Sequence, residues 1–153
     1  MTWTPLTTDD LLSSMTVRER EDFAKTSATL GVPDRAAPIL TDLVAEVRGY
    51  IATWSPNSLS ADATLIPPSF KAKALSIARW RLLITLPGYN PGDARKLDFE
   101  KADAFFNKVA EGKIRPEAAD DAIPTTVPSE KPAGVEIVSG PGSRTGRTRM
   151  DGI

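Results

Sequence analysis

Apolar positions recur along the first two-thirds of this chain at spacings of three and four residues, the period of an amphipathic helix. The cleanest stripe is Ile39, Leu40, Leu43, Val44, Val47, Ile51 and Trp54, with Thr41, Asp42, Glu46 and Arg48 outside it. It predicts a helix that starts at Asp34, accommodates Pro38 early, and ends at Ser55, Pro56 and Asn57. The stretch 66–86 is apolar on more than one side. Leu75, Ala78, Leu82 and Leu86 form one stripe, Phe70, Ala74, Ile77 and Ile84 widen it, and Trp80 and Leu83 add bulk on further faces. Pro67 and Pro68 are tolerated in a first helical turn, Ser69 is an alternative cap, and Pro87 with Gly88 stops the run. A helix apolar on several sides packs against several neighbours, so 68–86 is expected at the centre of a small bundle. A third helix, from Asp93 or Leu97 to Glu111, presents Ala102, Phe105, Phe106, Val109 and Ala110, with Gly112 as its cap. The Phe105–Phe106 pair is expected to be core on one side, with one ring against a neighbouring subunit as the alternative.

Two shorter helices precede these. Thr7 or Thr8 ahead of Asp9 and Asp10 reads as a helix start with acidic residues in the first turn, running to about Ser14. Thr16 to Glu19 is a capping box. Val17, Phe23, Ala24 and Leu30 are the expected inner face of the helix it opens, residues 18–22 a solvated charged run, and Gly31 its end. Residues 3–6 are a short lead-in, and 55–65 a polar connection long enough to cross the edge of a bundle.

From residue 114 the period is lost. Proline recurs at 116, 124, 128, 132 and 141, and only 135–138 alternates like a strand. Such a stretch buries too little apolar surface to offset an ordering cost of ~1–2 kcal/mol per residue for the backbone. The expected fold is therefore all-α. Residues 1–115 form a small helical bundle of three main helices plus short N-terminal helices. Residues 116–153 form a long extended or disordered C-terminal arm that orders only on assembly.

Composition narrows the chemistry. The chain has 153 residues, 41% hydrophobic and 25% charged, with a formal net charge of −1 and neither cysteine nor histidine. That excludes disulfides and thiolate metal sites, and removes the commonest general base and zinc ligand. Near-neutral charge gives no overall pull toward nucleic acid or an anionic membrane. The N-terminus lacks the basic start and apolar run of a signal peptide, so a soluble protein that stays in the cell that makes it is expected. The carboxylate pairs Asp9–Asp10, Asp98–Glu100 and Asp120–Asp121 read as helix-start charges and an acidic stretch; neighbours on one helix point about 100° apart and do not converge. Residues 140–148 resemble a phosphate-cradling loop only loosely, one residue short and with arginine for lysine. Lys71, Lys73, Arg79 and Arg81, interleaved with Trp80, compose a basic stripe whose alternative use is nucleic-acid binding. Arg144, Arg147 and Arg149 cluster near the C-terminus and are candidates for a charge contact. No catalytic, cofactor or metal site emerges, and an enzyme is not expected.

In order along the chain, these pieces resemble the small helical head–tail connector (adaptor, or head-completion) proteins of tailed bacteriophages. The resemblance lies in the early Asp-Leu helix (Thr8 to Leu12) and in Ala45 leading to Tyr50 and Ile51. It continues in the proline-led helix with Ala78, Arg79, Trp80, Arg81 and Leu82, and in the closing run Ala110 to Ile114. It covers about residues 7–116. It implies a structural virion protein at the head–tail junction, assembled in the host cytoplasm. Such proteins form homo-oligomeric rings, commonly of twelve copies, that dock on the portal protein, present a platform to a tail or tail-completion protein, and let DNA pass without sequence-specific binding or a membrane. Cofactors are not implied. The interface candidates carried with this reading are Val135, Ile137 and Val138 as an added strand, Arg144, Arg147 and Arg149 as charge contacts, and Lys71, Lys73 and Arg81 on the basic stripe. The alternative is a small helical nucleic-acid-binding regulator that uses the same stripe.

Overall fold

The computed structural model describes residues 2–30, 35–54 and 56–122. It is all-α, apart from a two-residue ribbon. In chain order the elements are β1 (Thr4–Pro5), α1 (Thr8–Ser14), α2 (Val17–Leu30), α3 (Ala36–Thr53), β2 (Leu65–Ile66), α4 (Pro68–Leu83) and α5 (Gly92–Ala110). The strands pair antiparallel, with Thr4 opposite Ile66 and Pro5 opposite Leu65.

α4 is the centre of the bundle and packs against α1, α3 and α5. Its apolar residues go round most of the helix because three neighbours surround it. Phe70, Ala74, Ile77, Ala78, Leu82 and Leu83 are all buried. Pro67 takes the N-cap position, and Ser69 lies inside the helix with its hydroxyl donating to Glu117 Oε2 at 2.6 Å. The helix ends earlier than 86. Thr85 and Leu86 donate their N–H groups to the carbonyls of Leu82 and Leu83, both at 3.1 Å, and this tighter turn tucks Leu86 into the core. α3 buries Leu40, Leu43, Val44, Val47 and Ile51, as its stripe predicts. α5 begins at Gly92, one residue before the earlier of the expected starts, and buries Ala102, Phe106 and Val109. Phe105 meets Phe70 edge-on at 5.1 Å, so both rings of the Phe105–Phe106 pair pack within this chain.

α5 closes on Gly112, whose φ of +72° lies in the left-handed region that favours glycine. Its N–H donates to Val109 O at 3.0 Å and that of Lys113 to Lys108 O at 2.9 Å, the paired bonds of a Schellman cap. The glycine is required twice over, because a Cβ at this position would collide with the Trp54 ring. Gly112→Ala is expected to cost about 2–3 kcal/mol in urea unfolding, from the left-handed backbone and the clash together. In a Trp54→Ala background only the backbone part remains, about 1–2 kcal/mol. An equal cost in both backgrounds would overturn the clash.

α2 departs from its expected packing. The Thr16 capping box forms: Glu19 Oε2 accepts from Thr16 N at 2.7 Å, and Glu19 N donates back to Thr16 Oγ1 at 3.3 Å. Val17, however, is 63% exposed and Ala24 is also exposed, while Glu19, assigned to a solvated run, is 3% exposed. The helix is docked by this polar end and by Phe23, which packs against the core, and among the described residues it makes no broad face-to-face contact with another helix. The expected boundaries at Gly31, Asp34 and Ser55 lie outside the described residues.

Two further corrections concern the chain ends. Trp3, assigned to a lead-in, is 2% exposed, and its Nε1–H donates to Glu117 O at 3.0 Å. Residues 116–122, assigned to the arm by their composition, lie against the body. Ala119 is buried, Ser60 pairs with Ala122 as an antiparallel bridge, and Thr2 Oγ1 donates to Asp120 Oδ2 at 2.9 Å. Short polar and main-chain contacts hold this segment, and they leave no periodic pattern in a sequence.

Candidate interaction surface

The basic stripe of α4 folds into ion pairs. Lys71 Nζ lies 2.8 Å from Asp10 Oδ2 on α1, and Arg81 Nη2 lies 2.6 Å from Glu46 Oε2 on α3. Arg79 donates to Ser14 O at 2.5 Å and to Asp98 Oδ2 at 3.3 Å. Lys73 is half-buried on the same helix. Three of the four positive charges are therefore spent on neighbouring elements of the same chain. Each pair joins α4 to a different helix, which is why interleaved cations and apolar residues coexist there.

One of these pairs belongs to a closed circuit. Glu19 Oε1 accepts from Arg95 Nε at 2.8 Å, Arg95 Nη1 lies 3.7 Å from Asp98 Oδ2, and Asp98 holds Arg79, which binds the carbonyl of Ser14. Ser14 and Thr16 flank Met15, the buried residue that joins α1 to α2. The circuit thus fixes the corner from which α2 leaves the bundle. Sequence spacing could not reveal it, because Glu19 and Arg95 are remote in the chain and meet only in the fold.

Burial pushes the Glu19 carboxyl up, but the Thr16 N–H and the Arg95 guanidinium outweigh it and hold the group below the ordinary glutamate range. Asp10 is likewise held down, by its bond to Lys71 and then by the Thr7 hydroxyl. A carboxyl lowered in the folded state adds stability above its unfolded value and loses that contribution as pH falls through the folded value. Unfolding free energy is therefore expected to be level from pH 7 to about pH 5 and to drop below about pH 4. Glu19→Gln should flatten that acid limb. An unchanged limb in urea titrations at stepped pH would remove Glu19 from the circuit.

Other carboxylates also have structural partners. Asp10 completes a capping box with Thr7, and Asp121 Oδ2 accepts from the buried Ser60 hydroxyl at 2.7 Å. Among the described residues no three acidic side chains gather as a metal cradle. No helix of the described residues is long and apolar enough to cross a membrane.

Two surface features stand out. One is α2 itself, docked through its capping end and Phe23. The other is a groove of about 480 Å³ between residues 5–8 and the outer face of α3, closed at its far lip by Ala63 and Thr64. Leu6, Leu40 and Val44 floor it, Thr41 and Ala45 rim it, and no charged side chain lines it. Its lip is rigid because Arg48 donates to the carbonyls of Ser60, Asp62 and Leu65 at 2.8, 2.8 and 3.0 Å. Exposed apolar side chains add Ile84 at the end of α4 and Leu97 on α5. The candidates Val135, Ile137, Val138, Arg144, Arg147 and Arg149 lie outside the described residues. Neither Arg48 nor the groove was singled out by periodicity: Arg48 sits off its helix's apolar stripe, and the groove is made by two segments distant in sequence.

No family model, curated protein or solved structure matches the chain.

Proposed function

We propose that this chain is a structural subunit that assembles with copies of itself into a ring, and that the ring is the adaptor between the portal and the tail of a bacteriophage particle. The observation that carries the reading is α2. It is docked by the Glu19 circuit and by Phe23, and its exposed residues, Val17 and Ala24 among them, are offered to another body. A ring closes through a heterologous contact, in which a projecting element of one copy meets a different surface of the next. The order of motifs along residues 7–116 supports the head–tail connector in particular. In that setting the ring extends the DNA channel and gives the tail protein a platform.

The ion pairs of Lys71, Arg79 and Arg81 favour this reading over a nucleic-acid regulator. Binding phosphate with those side chains would require giving up contacts to Asp10, Asp98 and Glu46. Light scattering on the purified full chain, alone and with a portal protein, tests the proposal, with electron microscopy of the mixture. Closed rings or a portal-bound collar are expected. A monomer in both conditions overturns it. A salt-sensitive shift of labelled DNA by the monomer would favour the regulator instead.

A further inference from the structure

We infer that the uncharged groove between residues 5–8 and α3 is the seat of this chain's own segment 135–138. The described chain ends at Ala122, which is bridged to Ser60, and Ala63 and Thr64, three and four residues further on from Ser60, form the groove's lip. The last described residue therefore lies beside the groove. Residues 123–134 then span up to about 40 Å when extended, enough to cross the groove on the same copy or to reach that of an adjacent one.

The chemistry of the two surfaces matches. The groove offers aliphatic floor, threonine hydroxyls and no charge. Beyond Ala122, the sequence holds one compact apolar run, Val135, Glu136, Ile137 and Val138, bracketed by Gly134 and Gly140. In an extended conformation Val135 and Ile137 share one face while Glu136 points away. That face presents two branched aliphatic side chains to the floor made by Leu6, Leu40 and Val44, and leaves the carboxylate in solvent. The other charged end of the arm, with Arg144, Arg147 and Arg149, finds no counter-charge in the groove lining. Pro5, next to the groove, has no N–H to donate, so side-chain burial rather than a main-chain ladder holds the segment.

The absence of native cysteine makes the test direct. In the full chain, Thr41→Cys is paired with Ile137→Cys, and separately with Thr148→Cys as a control outside the proposed segment. Disulfide formation under mild oxidation is followed by mass spectrometry. The 41–137 link is expected to form at least about tenfold faster than the 41–148 link, reflecting the higher effective concentration of a seated segment. Val135→Asp, added to the first pair, should remove that advantage without altering the helical signal of the body. Equal rates for the two links, or an advantage that survives Val135→Asp, overturns the seat. A mixture of the two single variants tells whether the link runs within one copy or between copies, and either result places the segment in the groove. The seat does not require a ring: a monomer that crosslinks keeps the seat and loses the adaptor, whereas a ring without the link keeps the adaptor and loses the seat.

Discussion

Arg48→Ala is expected to lower the unfolding free energy by about 3–4 kcal/mol and to loosen the N-terminal ribbon before the bundle melts. The guanidinium serves three main-chain carbonyls in the 60–65 loop, and its Cζ sits 5.8 Å from the centroid of the Trp3 ring. Truncation withdraws the guanidinium from the partly buried carbonyls of Ser60 and Leu65, while Asp62 O keeps the Leu65 N–H at 3.4 Å, and a buried acceptor left unpaired costs about 1–3 kcal/mol. It also withdraws the cation from the indole face, worth about 0.5–2 kcal/mol. Lysine recovers little of this, because an ammonium is a point charge and cannot fork to three acceptors held in fixed directions. Urea unfolding followed by circular dichroism measures the loss, and hydrogen exchange at residues 60–66 reports the loosening. A cost below about 1 kcal/mol would mean that water replaces the guanidinium at all three carbonyls.

Phe106→Ala is expected to cost about 3–5 kcal/mol, as is usual for a buried aromatic truncated to alanine. The ring is fully buried, stacked on Tyr50 at 5.8 Å, and edge-on to Phe70 at 5.8 Å and to Phe105 at 5.4 Å. Removing it opens a void where α3, α4 and α5 meet. A domain of this kind has a total stability of about 5–15 kcal/mol, so the variant keeps only part of its margin. Phe105→Ala is the internal control: its ring is only partly buried, and its loss should cost distinctly less. Equal costs for the two substitutions would place the junction of the three helices elsewhere.

The bundle was legible from periodicity where a helix buries one apolar stripe, as α3 does, or several, as α4 does. The caps were legible too, since Thr16 with Glu19 and Gly112 after α5 are local signals with local causes. Reading failed where the decisive contact was polar and remote. Glu19 looked solvated among charged neighbours because nothing near it in sequence announces Arg95. Arg48 looked like an outward-facing charge because the carbonyls that it binds belong to a loop. Val17 looked inward because an apolar residue at a helix start often is, but α2 docks through its capping end. For the interaction surface, the sequence supplied the basic stripe, and folding turned most of it inward to glue α4 to its neighbours. The groove needed three dimensions to exist at all.

The position of Trp3 has a bearing on how the body is made. Its indole is seated by a guanidinium from α3 and by a carbonyl at residue 117, just ahead of a ribbon whose other strand precedes α4. A chain that emerges from the ribosome N-terminus first must hold this residue in waiting until almost the whole body has followed it out. Seating of this indole is therefore a late event in biosynthesis, because its carbonyl acceptor lies at residue 117. That same step joins the first and last described segments of the body, since Thr2 meets Asp120 alongside it.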